Sequence, residues 1–562
     1  MVLKDGREIY TPTYGGVFWD TADLPVDILD SIEVTRGPGA TLWGSNAVNG
    51  VIDIRTLHAS NAQENVANVG VGDEGYGHFS FRQGGEILGG HYYTWGKWMD
   101  NEDLTDLTDG SSPNSQTKKV GFRADLPGFG EGGWTVHGEF FNGSGNPRFS
   151  DPFIAGTDPL AYLPDFVGPV NMEGGSIHGE WRGEFGDGFN WELSSYYFQE
   201  DRTWEGLFVD YGIETYELDF KIGKDYGRHN LLAGARHRKN ELTVRTGDLP
   251  PAYTAVLGPA ARPLFTTSAE VESEEINSAF IEDTLTLRED VKLLVGTKFE
   301  ENEVAENWMP TARAWWTVDE KSTAWASYSI AYQNLAYNSR YYTATLGYAP
   351  IFDNSQDPPE IITFFPLGTD ANPDSQPSKL KQWEAGWRQV WNDNLSLDAT
   401  AFYGEFEGLT LLGSHGFGGN HHNADSAETY GGEIALNWTN MDTLRLRMSA
   451  SYSDTVIEGP GASTLQYSKA KWRGNLQADY TPAGNLAYHL GVYGSERAFE
   501  KVPGYLRTDL GISWRDIGKD WEASFRVQNL FDPSHPEDFS ELYGAELREI
   551  PRTVYLQVRR WF

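Results

Sequence analysis

Three histidines, His415, His421 and His422, sit beside the glycine-rich stretch Gly413 to Gly419. Imidazoles clustered in this way can bind a metal or haem, and they are equally accounted for as solvated side chains at a loop tip. A second group lies between residues 334 and 378: Tyr337, Arg340, Tyr341, Tyr342, Tyr348, Phe352, Phe364 and Phe365. Rings flanking a guanidinium suit a bulky, partly aromatic chelate, and they also suit a loop that packs on itself. The same stretch is acidic, with Asp353, Asp357, Glu360, Asp370 and Asp374 against Arg340. Residues 530 to 550 repeat the bias, with Asp532, Glu537, Asp538, Glu541, Glu546 and Glu549 against Arg548. Carboxylates in this number repel a strongly anionic chelate and could hold Ca²⁺. No His-Glu-x-x-His helix, nucleophile elbow or phosphate-binding glycine loop occurs to contradict a binding role.

The elements that position these residues are strands. From about residue 65 onward, segments of roughly ten residues alternate apolar and polar side chains. Strand starts are expected near residues 65, 76, 90, 117, 133, 176, 189, 214, 229, 275, 291, 308, 322, 379, 394, 427, 442, 466, 484, 504, 520 and 551. That is about 22 strands. Their connections alternate in length. Gly186-Asp187-Gly188, Asp319-Glu320-Lys321 and Asn392-Asp393 are short, whereas 143–175, 247–274, 334–378, 409–426 and 530–550 are long. Short turns at one rim and long loops at the other describe an outer-membrane barrel, and a propeller's blade repeat is absent. Single strands carry the same message. In Lys381 to Trp391, Trp383, Ala385, Trp387 and Trp391 share one face, and Gln382, Glu384, Gly386 and Arg388 the other. The first face suits lipid and the second a watery lumen. By the same alternation Glu433 points inward, because Ile434, Leu436 and Trp438 occupy the opposite side or its continuation along the strand.

Composition agrees. Hydrophobic residues make up 39% of 562, yet aromatics reach 14%, as in a barrel with aromatic girdles and a wet interior. Mean hydropathy is −0.50, and no run approaches the ~18 apolar residues of a membrane helix. A net charge of −37 argues against a nucleic-acid partner. The absence of cysteine excludes a disulfide framework. Residues 1 to about 58 differ in grain, being glycine-rich with short mixed elements, and read as a small α/β globule.

That globule carries Asp30-Ser31-Ile32-Glu33-Val34-Thr35-Arg36-Gly37-Pro38-Gly39, followed by Leu42-Trp43-Gly44-Ser45-Asn46-Ala47-Val48-Asn49-Gly50-Val51-Ile52-Asp53-Ile54. The run resembles the plug domain of TonB-dependent outer-membrane receptors. Val502-Pro503-Gly504-Tyr505, Val527-Gln528-Asn529-Leu530-Phe531-Asp532, Pro551-Arg552-Thr553-Val554 and the terminal Trp561-Phe562 match the family's barrel end. The resemblance implies an all-β membrane protein: a 22-stranded antiparallel transmembrane β-barrel with a partial α/β plug in its lumen. The expected division is 1–58 for the C-terminal part of the plug and 59–562 for the barrel.

The resemblance also implies function. It points to TonB-dependent uptake of a scarce nutrient, first a ferric siderophore, with cobalamin as the competitor. A passive pore or a surface-binding barrel is the rival for a partial plug. The implied partners are the TonB complex, a small-molecule metal chelate, outer-membrane lipid and lipopolysaccharide, and the barrel-assembly machinery, for which Phe562 is the signal. The family's plug arginines pair with two barrel glutamates, and by motif Arg36, Glu384 and Glu433 carry over as that latch. No cofactor is expected beyond possible Ca²⁺ at the acidic extracellular loops. The family's signal peptide, TonB-coupling segment and first part of the plug have no counterpart before Met1. The sequence therefore reads as a fragment, a misassigned start or a truncated gene of a Gram-negative outer-membrane protein.

Overall fold

A computed structural model describes residues 1–562 apart from 74, 103–113, 129–131, 147, 150–152, 155–165, 168, 187, 206–208, 249–250, 252–253, 255–257, 261, 264, 268–270, 354–359, 413–418, 441–442, 460–469, 499–501, 517–519 and 539–547. From Val66 onward the chain forms a ring of 22 antiparallel strands. Each strand pairs with its neighbours in sequence. The ring closes where the last strand, Thr553–Trp561, pairs with the first, Val66–Gly72, from Tyr555 opposite Gly72 to Trp561 opposite Val66. Closure leaves no edge, which is the one way a non-helical backbone satisfies its hydrogen bonds in lipid. No helix among the described residues is long and apolar enough to cross a membrane.

Alternation sets the two faces. In Glu306–Asp319, Trp308 is exposed on the outer wall, and its neighbour Met309 is fully buried on the lumen side. In Ser378–Asn392, Trp383, Trp387 and Trp391 face outward while Gln382 is buried inside. The strands begin where the alternation places them, to within a few residues. The larger differences lie at the long-loop rim: Val170–Phe185, Val209–Tyr226, Val271–Arg288 and Gly419–Asn440 start four to eight residues earlier than expected, and Trp472–Ala483 starts six later. Above the lipid both faces meet water, so a hairpin can go on pairing its backbone without an apolar face to mark it.

Two expected long connections are in fact ordered. Residues 334–378 hold a short helix, Tyr337–Tyr341, and two strands, Tyr342–Asp353 and Glu360–Asp370, that pair with each other. Residues 409–426 are mostly strand, since Leu395–Leu412 and Gly419–Asn440 leave only six residues between them.

Inside the ring sits a four-stranded sheet made of β1 (Val2–Lys4), β2 (Arg7–Glu8), β3 (Leu29–Arg36) and β4 (Gly50–Thr56). Its order is β2-β1-β4-β3, so β3 is an edge. The strand β1 runs parallel to β4, and β3 antiparallel to it. The link from β3 to β4 turns at Gly37 (φ 79°), passes the helical turn Ala40–Trp43 and turns again at Gly44 (φ 98°). Left-handed backbone of this kind is open to glycine at little cost.

Candidate functional site

The lumen is where the inner sheet meets the wall, and the contact is electrostatic. Lys4 and Arg7 both reach Glu139, and all three side chains are buried. Glu8 pairs with Arg238, which also binds Glu217 at 2.5 Å. Asp20 takes a two-pronged contact from Arg202, at 2.6 and 2.8 Å, while Arg202 lies 3.8 Å above the Phe18 ring. Lys119 donates to the carbonyl oxygens of Thr21 and Asp23, and Lys97 pairs with Asp23 at 2.5 Å. Burial pulls the Lys4 ammonium down to about 8, although Glu139 opposes the shift. At neutral pH the group therefore stays charged. A buried ion pair gives little net stability, but removing one partner strands the other in a medium that solvates it poorly.

Further round the ring, Arg236 and Lys298 donate to the carbonyls of Trp43 and Leu42, which end the helical turn. Thr41 Oγ1 donates to the Met309 carbonyl at 2.9 Å. Asn46 exchanges hydrogen bonds with Tyr332 and Asn334. Ala40 and Val48 pack against Met309, Ala331 and Leu380.

Arg36 forms an ion pair with Glu433. Glu384, the other glutamate of the expected latch, is placed beside the next residue of the plug. Its carboxylate sits against Gly37, where a Cβ would collide with it, and 3.7 Å from Arg313. Arg36 is 61% exposed, so the pair is wet. The pairs made by Lys4, Arg7, Glu8 and Asp20 were not legible beforehand. The only available signal was that alternation turns Glu139, Arg202 and Arg238 inward, and a buried lumen charge needs a partner.

At the long-loop rim the hairpin Thr11 to Gly16 touches the segment expected to bind ligand. The amide of Tyr337 donates to Pro12 O and that of Asn338 to Thr13 O. Tyr337 and Arg340 are not free loop side chains. They are 3% and 4% exposed, and Tyr337 packs with Tyr211, Ile213, Leu242 and Val244. The Tyr341 ring lies 5.4 Å from that of Tyr337 and tilted to it, with Arg340 4.8 Å over its face, and Tyr342 is packed against the same cluster. On the inner domain Phe18 stacks on Tyr211 at 5.7 Å, and Tyr14 and Trp19 remain exposed. Among the described residues the hydroxyls of Tyr211, Tyr337 and Tyr342 and the Nε of Arg340 are buried with no hydrogen-bond partner. Burial also shifts the Tyr337 phenol upward.

Tyr348, Phe364 and Phe365 lie on the paired strands above the rim, with Tyr348 opposite Pro366 and Ala349 opposite Phe365 in the backbone register. His421 and His422 stand opposite Leu412 and Leu411, and His415 lies outside the described residues. Among the described residues no group of three or more His, Cys, Asp or Glu is placed to hold a metal. Phe562 is exposed at the short-turn rim, and its amide donates to Asn65 O at 3.0 Å.

Comparison with known proteins sets this geometry in context. The family described as TonB dependent receptor-like, beta-barrel matches residues 65–530, and the TonB-dependent Receptor Plug Domain matches residues 1–51. Over 87 residues the chain is 36% identical to the vitamin B12 transporter BtuB of Vibrio vulnificus. That match covers 16% of this chain and only 14% of the relative's length. BtuB of Photobacterium profundum is 31% identical over 98 residues, 17% of this chain and 15% of the relative. Among solved structures, the siderophore receptor PirA of Acinetobacter baumannii superimposes with a TM-score of 0.77 at 16% identity, covering 100% of this chain and 90% of that one. A mutant of the ferric enterobactin receptor PfeA of Pseudomonas aeruginosa gives 0.76 at 16% identity, with the same coverage. At such identity the likeness is one of fold.

Proposed function

The chain belongs to the TonB-dependent receptors, and from that membership we propose that it takes up a scarce, bulky nutrient across the outer membrane of a Gram-negative bacterium, energised through TonB. The ligand proposed first is a ferric siderophore. Residues 1–58 serve as the plug and 59–562 as the barrel. The Arg36–Glu433 pair and the neighbouring Glu384 act as a latch between them.

The observation that carries this reading is the aromatic cluster where the plug apex meets the Tyr337–Tyr341 helix. Buried phenol hydroxyls without partners are costly, and a ligand rich in acceptor oxygens would satisfy them. The surrounding charge narrows the chelate. Arg340 lies among Glu272, Glu274 and Glu303, so a neutral or cationic iron complex fits better than a strongly anionic one.

A second reading, cobalamin, draws support from the sequence likeness to vitamin B12 transporters and from the same acidity, since cobalamin is nearly neutral. Titration of the purified protein, followed by tryptophan fluorescence, separates the two. A cationic ferric hydroxamate should bind in preference to a ferric catecholate and to cyanocobalamin. Tight binding of cyanocobalamin alone moves the assignment to the second reading. Loss of all three removes the cluster from the function. Ca²⁺ at the acidic loops, bridging to lipopolysaccharide, belongs to the same proposal. A chelator should then weaken ligand binding or the loops' protection from protease.

A further inference from the structure

Five glutamate side chains are buried among the described residues: Glu139, Glu200, Glu217, Glu274 and Glu300. Four of them hold a cation, Glu139 with Lys4 and Arg7, Glu200 with Arg202, Glu217 with Arg238 and Glu300 with Arg236. Glu274 is the exception. It is 5% exposed, and it accepts a hydrogen bond from the neutral Asn240 Nδ2 at 3.2 Å. A buried carboxylate without a cation is costly, and taking up a proton relieves the cost. Burial pushes this carboxyl up to about 7, against the opposing pull of Asn240 and Arg340.

The position of Glu274 gives that proton a role. It stands near the upper end of Val271–Arg288, where the outward neighbours Ser273 and Glu275 are polar and exposed, so it lies above the lipid. Arg340 is the cation that acts on it from the Tyr337–Tyr341 helix. The Nε of Arg340 is without a hydrogen-bond partner among the described residues, and its guanidinium lies over the partly exposed Tyr341 ring. Glu272 and Glu303 act on the same cluster, from the start of the strand and from the turn at Asn302 to Ala305. Glu300 also faces Glu274 but is held by Arg236 at 3.3 Å. Burial keeps the Tyr337 phenol protonated. With Glu274 neutral, Arg340 therefore stands against two carboxylates, and with Glu274 ionised against three. All of these groups belong to the barrel wall, its turn and the helix packed on it.

We propose that Glu274 is the specificity-determining residue of this cluster: as a carboxylate it offsets Arg340 and favours a cationic ligand, and as a neutral acid it gives up that preference. The inference rests on the uptake reading of the same site and adds a direction to it. A carboxyl is neutral below its midpoint and charged above it, so discrimination for a cationic chelate strengthens as pH rises through neutrality. No direct contact is required. One full charge within about 10 Å, in a medium of effective dielectric ~20, changes affinity on the order of tenfold.

The probes are ferrioxamine B, which carries one free ammonium group, and its N-acetyl derivative, the same ferric trihydroxamate without that charge. Fluorescence titration of both against the purified protein gives a ratio of affinities that isolates the charge. The ratio should rise about tenfold in favour of ferrioxamine B between about pH 5.5 and about pH 8.5. In E274Q the rise should disappear. Should E274Q fail to fold, N240A tests the same point: it removes a hydrogen bond that favours the charged form, and so should move the rise to higher pH. By linkage, saturating ferrioxamine B should lower the midpoint of the Glu274 carboxyl band in the infrared by about one pH unit. A constant ratio in the parent protein, or a rise that survives in E274Q, overturns the inference and leaves the uptake reading in place. Failure of both compounds to bind at any pH overturns the two together.

Discussion

Two sectors of one ring behave as different materials. From Val66 round to Asn440 the lumen wall meets the plug, with Glu139, Arg202, Arg238 and Glu300 buried in contact with it. From Leu444 to Gln528 the same alternation puts charges into the lumen, but they pair with one another or stay open. Both sectors read alike in sequence, as strands with a polar inner face. What separates them is desolvation. A charge covered by the plug must find a partner, whereas a charge facing an open lumen keeps its water.

Substitutions sharpen that contrast, and they rank by burial. Glu139→Ala should have the largest effect. It leaves Lys4 and Arg7 uncompensated and should cost about 3–5 kcal/mol of plug docking. The readout is the urea concentration at which the plug releases, seen as a step in bilayer current. Leu380→Ala, which empties part of the cluster under Ala40 and Val48, should cost about 2–4 kcal/mol by the same measure. Arg36→Ala breaks an exposed pair and should cost no more than about 1 kcal/mol, seen as slightly larger currents or antibiotic sensitivity in cells. Arg447→Gln should leave docking within about 0.5 kcal/mol of the parent. A docking loss for Arg447→Gln as large as that for Glu139→Ala would erase the distinction between the sectors. Away from the wall, exchanging Tyr341 and Tyr342 for Ala should weaken ligand binding about tenfold by titration, because it removes rings from the cluster at the plug apex.

Much of this architecture was legible because its rules are local. Period-two alternation fixes which way Trp383 and Glu384 point, and turn residues such as Gly186-Asp187-Gly188 fix where strands end. Glu433 was placed inward by the same rule and is found beside Arg36. The rest depends on distances along the chain that no local rule spans. Lys4 and Glu139 are 135 residues apart, and only the closed ring with the sheet inside it brings them together. Glu384 shows the opposite limit. The family's motif nominated this residue without saying what it would touch, and its carboxylate lies against the Gly37 backbone and 3.7 Å from Arg313. Tyr337 and Arg340 were read as part of a long connection that could meet a chelate or pack on itself. Packing against Tyr211 and the plug hairpin, invisible to composition, buries both. The acidic stretch of that connection gave no strand signal, because a hairpin standing clear of the lipid needs none.

The seam between Val66–Gly72 and Thr553–Trp561 makes the wall depend on both ends of the chain. The two strands to be stitched are the first and the last of the barrel along the sequence, so the ribbon keeps two raw edges until both are in place. Asp27 reaches Arg559 on that final strand, so the stopper is tied to the last stave. Removal of Thr553–Trp561 would leave a sheet with nothing to close it.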